Sequence, residues 1–334
     1  MINSEYLNEN IDYIKDFYGN LFIEINDLNS EPTYTYLEQI RTRIEQVKPD
    51  LIIAIGGGST MDIGKGISLL LTNNKSALEL KGFPTNINKP INLITIPSIF
   101  GSGSEISYNA VFIDDKEGKK LGINSKKNFP KKTIIDPLLT MTAPDDAIIS
   151  SAMDSLVHCV DSFGSIKSNT LTKMFSIKGF KNSFYTLLKE DINIPKNRLN
   201  LAIGSICGII ALMNSSDGPT NGFAYYFGVK NNIPHGLAGG IFLKDIMNWN
   251  YENGFNDYYM LIDNDKNSNA TLFKELKILY QKYKIPRLKD FGYSQEDIKY
   301  LSNKVSSSLE GSFSGNPIPF NLHSAIDILK KQII

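Results

Sequence analysis

Cysteine is scarce. Cys159 and Cys207 are the only two in 334 residues. They show neither C-x-x-C spacing nor the density of a disulfide framework, which excludes a disulfide-stapled scaffold, and both fall in apolar helical stretches as buried free thiols. An excess of either charge is missing too, since 35 Lys and Arg balance 35 Asp and Glu. With no net field to draw the chain toward nucleic acid or an anionic membrane, any anion site has to be local. No run reaches the roughly 18 uncharged apolar residues of a membrane helix. The opening "MINSEYLNENIDYIKDFYGN" also lacks the basic-then-apolar order of a signal peptide. A cytoplasmic protein without nucleic-acid or membrane partners is expected. Internal repeats and low-complexity linkers are absent as well.

What is present is an ordinary globular composition, 42% apolar and 21% charged, in a chain longer than a single core usually supports. "NLFIEIND" (20–27) is a short β-branched run, and Pro32 is expected to start the helix of "EPTYTYLEQIRTRIEQVK". "DLIIAIGGGSTMDIGKGISLLLT" then reads strand, glycine turn, helix, and "PINLITIPSIFGSGSEIS" repeats the strand and the small-residue turn. "KKTIIDPLLT" adds a further short strand. Strands alternating with helices predict a parallel sheet. From "APDDAIISSAMDSLVHCVDSF" onward strand-like runs stop. The expected organisation is an α/β domain over 1–140 and an all-helical domain over 141–334.

Within the helical half, "NRLNLAIGSICGIIALMNSS" is apolar nearly all round and predicts a buried helix. "SQEDIKYLSNKVSSSLEGSFSGNPIPFNLHSAIDILKKQ" predicts two amphipathic helices with a loop between them.

Two features carry chemistry. "GGGS" (56–59) stands between a buried strand and a helix, so Gly56, Gly57 and Gly58 can press bare N–H groups onto a phosphate at the helix N-terminus while Ser59 adds a hydroxyl. One glycine suffices for a turn, and three in succession lose much entropy on folding. The spacing is neither that of a dinucleotide fingerprint nor that of a P-loop. "SIFGSGSE" (98–105) would flank the same crevice at the carboxyl ends of parallel strands. In "SAMDSLVHCVDSF", Asp154 and His158 stand four apart on a helix, with Cβ atoms about 5–6 Å apart. That spacing suits a shared cation and a plain ion pair equally well.

"GGGSTMDIGK" (56–65), "PSIFGSGSE" (97–105), "DPLLTMTAPDDAIISSAMDSLVHCVDS" (136–162) and "PHGLAGGIFL" (234–243), in that order, resemble the iron-containing, or group III, alcohol dehydrogenases. The resemblance implies a Rossmann-like, dehydroquinate synthase-like nucleotide domain followed by an all-helical metal domain. It implies that NAD or NADP lies on Gly57, Gly58 and Ser59, with Asp62 and Lys65 completing the motif and Ser98, Ser102 and Ser104 running toward the nicotinamide. It also implies a divalent metal, iron or zinc, on Asp154, His158 and His235.

The family's fourth metal ligand is a histidine 14 residues before the "PHG" motif. Here that position is Asn221, and the remaining histidine, His323, lies outside every motif. A neutral amide oxygen binds Fe²⁺ or Zn²⁺ less tightly than imidazole, so a weakened site and a metal-free one both stay open. Tyr225 occupies a position where many members carry a further histidine near the substrate, and its hydroxyl could relay a proton. "KKLGI" (119–123), "AMDSLVHCVDS" and this tyrosine also resemble a branch that oxidises the C8 alcohol of 3-deoxy-octulosonate. The opening strand and helix of the family are expected to be missing, which leaves the adenosine side short. The expected activity is hydride transfer between nicotinamide and a primary alcohol or aldehyde. A non-catalytic assembly subunit and a dehydroquinate synthase-like cyclase are the alternatives, and a homodimer is left open.

Overall fold

A computed structural model describes Ile25, Leu28 and residues 31–263, 265–308 and 310–334. The strand expected over 20–27 and the shortened start fall almost wholly outside these residues. The chain divides into two compact units, Met1–Ala147 and Ile148–Ile334.

In the first unit, helix α1 (Tyr34–Ile44) is capped by Thr33, whose hydroxyl accepts the Tyr36 N–H at 3.0 Å. The helix thus begins after Pro32, not at it: a cap is a side-chain acceptor, which proline lacks, and the Pro32 carbonyl accepts the Ile113 N–H outside the helix. Tyr34, Leu37, Ile40 and Ile44 recur at three and four and are buried. Strand β1 (Leu51–Gly56) leads into helix α2 (Gly58–Leu70), and β2 (Asn92–Pro97) pairs with β1 in parallel, Ile53 opposite Ile94. After a hairpin of β3 (Asn109–Asp114) and β4 (Lys119–Asn124), β5 (Lys132–Thr133) joins the other edge of β2. The order among the described residues is β1-β2-β5, all parallel. The hairpin was not expected from the sequence. Its core face is supplied by Ala110, Phe112 and Ile123, which are buried with Leu37, Ile67 and Leu69.

The second unit contains no strand among its described residues. Helix α3 (Asp145–Gly164) starts at the end of the first unit with Asp145 and Asp146 in its first turn, where the helix dipole favours acids. Then come α4 (Thr170–Lys189), α5 (Pro195–Met213), α6 (Pro219–Asn231), α7 (His235–Glu252), α8 (Ser268–Lys282), α9 (Ile298–Ser308) and α10 (Leu322–Ile333). α9 and α10 are the two helices expected at the end of the chain. Phe223, Phe227, Phe242, Phe313 and Phe320 form the aromatic centre of the core. Both cysteines are buried and unbridged. Among the described residues no helix is long and apolar enough to cross a membrane.

Candidate functional site

In the first unit the carboxyl ends of β1 and β2 lie side by side, Gly56 opposite Pro97. The Ser98 N–H donates to the Gly56 carbonyl over 2.9 Å. Both connections therefore leave the sheet at one edge, where open parallel sheets receive ligands. Gly56 holds φ +152°, which a side chain would resist. Gly57 is the N-cap of α2, has extended backbone, and places no side chain on the helix N–H groups; the first turn contains no acid. The first N–H groups of α2 have no intrahelical acceptor and carry the positive end of the helix dipole, so this turn is suited to a phosphate.

Gly58 allows a close approach: a Cβ there would stand 2.6 Å from Ser102 Oγ, which would have to shift. The two small-residue loops therefore touch. Ser59 is half-buried beside them. Ser98 is 1% exposed and its hydroxyl has no hydrogen-bond partner, while Ser102 Oγ accepts the Ser104 N–H at 3.2 Å.

Asp62 and Lys65 lie inside the unit. Lys65 is fully buried, and its ammonium donates to Ser104 O (2.9 Å), Ser104 Oγ (2.6 Å), Ser107 Oγ (3.3 Å) and Asn109 O. Asp62 Oδ1 lies 3.1 Å from Lys65 Nζ and accepts the Ser104 hydroxyl, and Oδ2 accepts the Val111 N–H at 3.0 Å. Burial pulls the Lys65 pKa below its ordinary value, against the charge of Asp62. Glu105, 2% exposed, has one carboxyl oxygen without a partner, and burial pushes its pKa up to about 7. Its place in "GSGSE" after a buried strand was the signal that sequence reasoning passed over.

The second unit brings the four expected metal-site residues together. On α3, His158 Nε2 lies 3.5 Å from Asp154 Oδ1. His235 opens α7, with Nε2 3.9 Å from the same Asp154 oxygen and 3.0 Å from Asn221 Oδ1 of α6. Asp154, His158 and Asn221 are buried, whereas the His235 side chain is 21% exposed. Gly236 permits α7 to meet α3 here, since a Cβ would fall 2.0 Å from the Ser150 carbonyl oxygen.

An ion with four bonds of 2.0–2.2 Å in a tetrahedron sets its donors about 3.4 Å apart, close to the separations seen. One carboxylate, two imidazoles and an amide oxygen thus fit a divalent cation, with the amide as the weak member. The set is not closed. Among the described residues no group of three or more His, Cys, Asp or Glu side chains is arranged to hold a metal. His235 Nε2 lies nearer the amide than the carboxylate, so ligation requires it to exchange that hydrogen bond for the ion.

Tyr225, one turn beyond Asn221, lays its ring against His235 with centroids 4.8 Å apart. Asp161, which sequence reasoning left without a role, accepts the Gly218 and Asn221 N–H groups at 3.1 and 3.0 Å. It caps α6 from α3 and so sets the start of the helix that carries Asn221. Burial pushes its carboxyl up to about 7, opposed by those N–H groups. The signal for it was a Gly-Pro helix start without a cap of its own. His323 is exposed in the first turn of α10, outside this group.

Comparison with known proteins gives a consistent answer for both units. Residues 1–137 match the model of the iron-containing alcohol dehydrogenases, and 148–333 match that of the Fe-containing alcohol dehydrogenase family, C-terminal. An alcohol dehydrogenase of Thermococcus barophilus is 30% identical over 254 residues, 73% of this chain and 65% of that protein. This chain thus spans less than two thirds of that relative's length. A 4-hydroxybutyrate dehydrogenase of Clostridium kluyveri is 26% identical over 311 residues, 90% of this chain and 83% of that one. The crystal structure of a 1,3-propanediol oxidoreductase has the same fold, with a TM-score of 0.88 at 21% identity, covering 99% of this chain and 89% of that one.

Proposed function

The chain belongs to the iron-containing alcohol dehydrogenase family, and on that premise we propose that it is an NAD(P)-dependent alcohol dehydrogenase or aldehyde reductase acting on a primary alcohol of a small polar metabolite. The observation that carries this reading is the convergence of Asp154, His158, Asn221 and His235 from three helices onto one position. The cyclase alternative is set aside with the family match.

In the first unit, the uncapped start of α2 binds the pyrophosphate through backbone N–H groups, and Ser59, Ser98 and Ser102 supply hydroxyls along the cofactor. In the second, Asp154, His158 and His235, with Asn221 as fourth donor, would hold iron or zinc. Bound there, the cation supplies Lewis acidity that favours an alkoxide in oxidation and polarises an aldehyde in reduction. Tyr225 packs its ring, tilted, against that of His235 and offers its hydroxyl for the substrate proton. The relative that acts on 4-hydroxybutyrate makes a short alcohol bearing a carboxylate the first substrate to try, with sugar-acid alcohols such as the C8 alcohol of 3-deoxy-octulosonate next.

A second reading has one observation in its favour: Asn221 occupies the His235 nitrogen that a metal would need. On that reading the chain keeps the fold and serves as a binding or assembly subunit. Fluorescence titration with NADH and NADPH, followed by turnover of 4-hydroxybutyrate and polar primary alcohols after loading with Fe²⁺ or Zn²⁺, separates the two. Saturable cofactor binding with metal-dependent turnover supports the dehydrogenase. No binding at millimolar cofactor leaves the assembly role.

A further inference from the structure

We infer that Asp62 and Lys65 are positioning residues that never touch the cofactor: they tie the second small-residue loop to the glycine turn and so hold both walls of the phosphate crevice in register. The inference rests on the dinucleotide reading of that crevice.

Lys65 has no reach toward a ligand. Its side chain is fully buried, and its ammonium is ringed by the Ser104 carbonyl and hydroxyl, the Ser107 hydroxyl, the Asn109 carbonyl and the Asp62 carboxylate. An ammonium has three protons, and these acceptors already exceed them. Asp62 closes the network by taking the Ser104 hydroxyl on one oxygen and the Val111 N–H on the other. One turn of α2 therefore grips the chain from Ser104 to Val111.

The grip matters at the turn because Ser102, two residues before Ser104, lies directly over Gly58, where a Cβ would stand only 2.6 Å from its Oγ. Ile99 closes similarly over Gly57, where a Cβ would stand 3.1 Å from its Cδ1. Ser98 is pinned at the other end of the loop by the Gly56 carbonyl. The loop is thus fixed at Ser98 by the sheet and at Ser104 by Lys65 and Asp62, with the ligand-facing part between. Releasing the second anchor should let residues 99–103 drift from the turn while the rest of the unit keeps its core.

The test compares Lys65→Met, Asp62→Asn and the milder Ser104→Ala with wild type, by NADH titration and by hydrogen exchange of the 98–111 amides. Asp62→Asn decides between positioning and direct contact by its sign. Removing a negative charge beside a phosphate site would tighten NADH if Lys65 met the phosphate, whereas loss of the tie weakens it. The expected result is at least a tenfold rise in the NADH dissociation constant for Lys65→Met and Asp62→Asn, a smaller rise for Ser104→Ala, and faster exchange confined to 98–111, the loop and the stretch that Asp62 and Lys65 grip. Unchanged NADH affinity in folded variants, tighter binding by Asp62→Asn, or loop exchange identical to wild type would overturn the inference. If Lys65→Met fails to fold, Ser104→Ala carries the same two readouts. Wild type that binds no NADH would instead remove the cofactor reading, and the positioning role with it.

Discussion

The Nε2 of His235 sits 3.0 Å from the amide oxygen of Asn221 and 3.9 Å from the carboxylate of Asp154. The ring is thus engaged by a neutral partner at the place where a fourth strong ligand would otherwise stand. A cation entering this group must displace that hydrogen bond and then accept the amide as its weakest donor.

Restoring imidazole at this position should therefore strengthen the site. Asn221→His is expected to raise metal content after identical loading with Zn²⁺ or Fe²⁺, by tenfold or more in affinity, while Asp154→Ala loses it. Elemental analysis and competition with a chelator read the outcome directly. Equal content in all three proteins would mean that Asp154 and His158 are a buried pair and nothing more.

Tyr225→Phe keeps the ring against His235 and deletes only the hydroxyl. If that hydroxyl carries the substrate proton, kcat should drop by roughly 100-fold or more, with metal content and the NADH dissociation constant unchanged. A change below about threefold in kcat would leave the tyrosine as packing for the imidazole.

Gly236→Ala tests the approach of α7 to α3. The added carbon would lie 2.0 Å from a backbone oxygen and 2.9 Å from Asp154 Cβ, so one helix has to shift. The expected cost is about 1–3 kcal/mol in urea or thermal unfolding, together with reduced metal affinity, because the shift carries His235 away from Asp154. Stability equal to wild type would show that the two helices separate without strain.

Glu105 predicts a pH dependence of stability. Its carboxyl is raised from 4.5 to about 7 by burial. Below about 4.5 folded and unfolded chains are both protonated there and stability is intact. Between that pH and about 7 the unfolded chain gives up a proton that the folded chain keeps, so stability falls as pH rises, by at most on the order of 3 kcal/mol. Asp161, raised to about 7 as well, adds a loss of the same sign. Glu105→Gln should reduce the slope of unfolding free energy against pH over this window without abolishing it. An unchanged slope would mean that the Glu105 carboxyl is ionised in the folded protein.

The sequence by itself determined the strands, because "LIIAIG" and "NLITIP" are short apolar runs that end in glycine or serine turns, and their alternation with a helix implied the parallel pairing. It likewise determined the helical second half and the i, i+4 relation of Asp154 to His158, which follows from helix geometry alone. It did not reveal the β3–β4 hairpin, whose turn "DKEG" reads as a charged surface loop until Asp114 is seen accepting the Lys116 and Glu117 N–H groups. Only the tertiary structure decided the rest. That Lys65 points inward depends on acceptors 39 to 44 residues away. That Asp161 caps the helix bearing Asn221 depends on a contact spanning 60 residues. Pattern in a sequence reports what neighbouring residues can do together. Which buried charge meets which distant partner is settled by packing, because burying a charge is tolerable only where that partner is waiting.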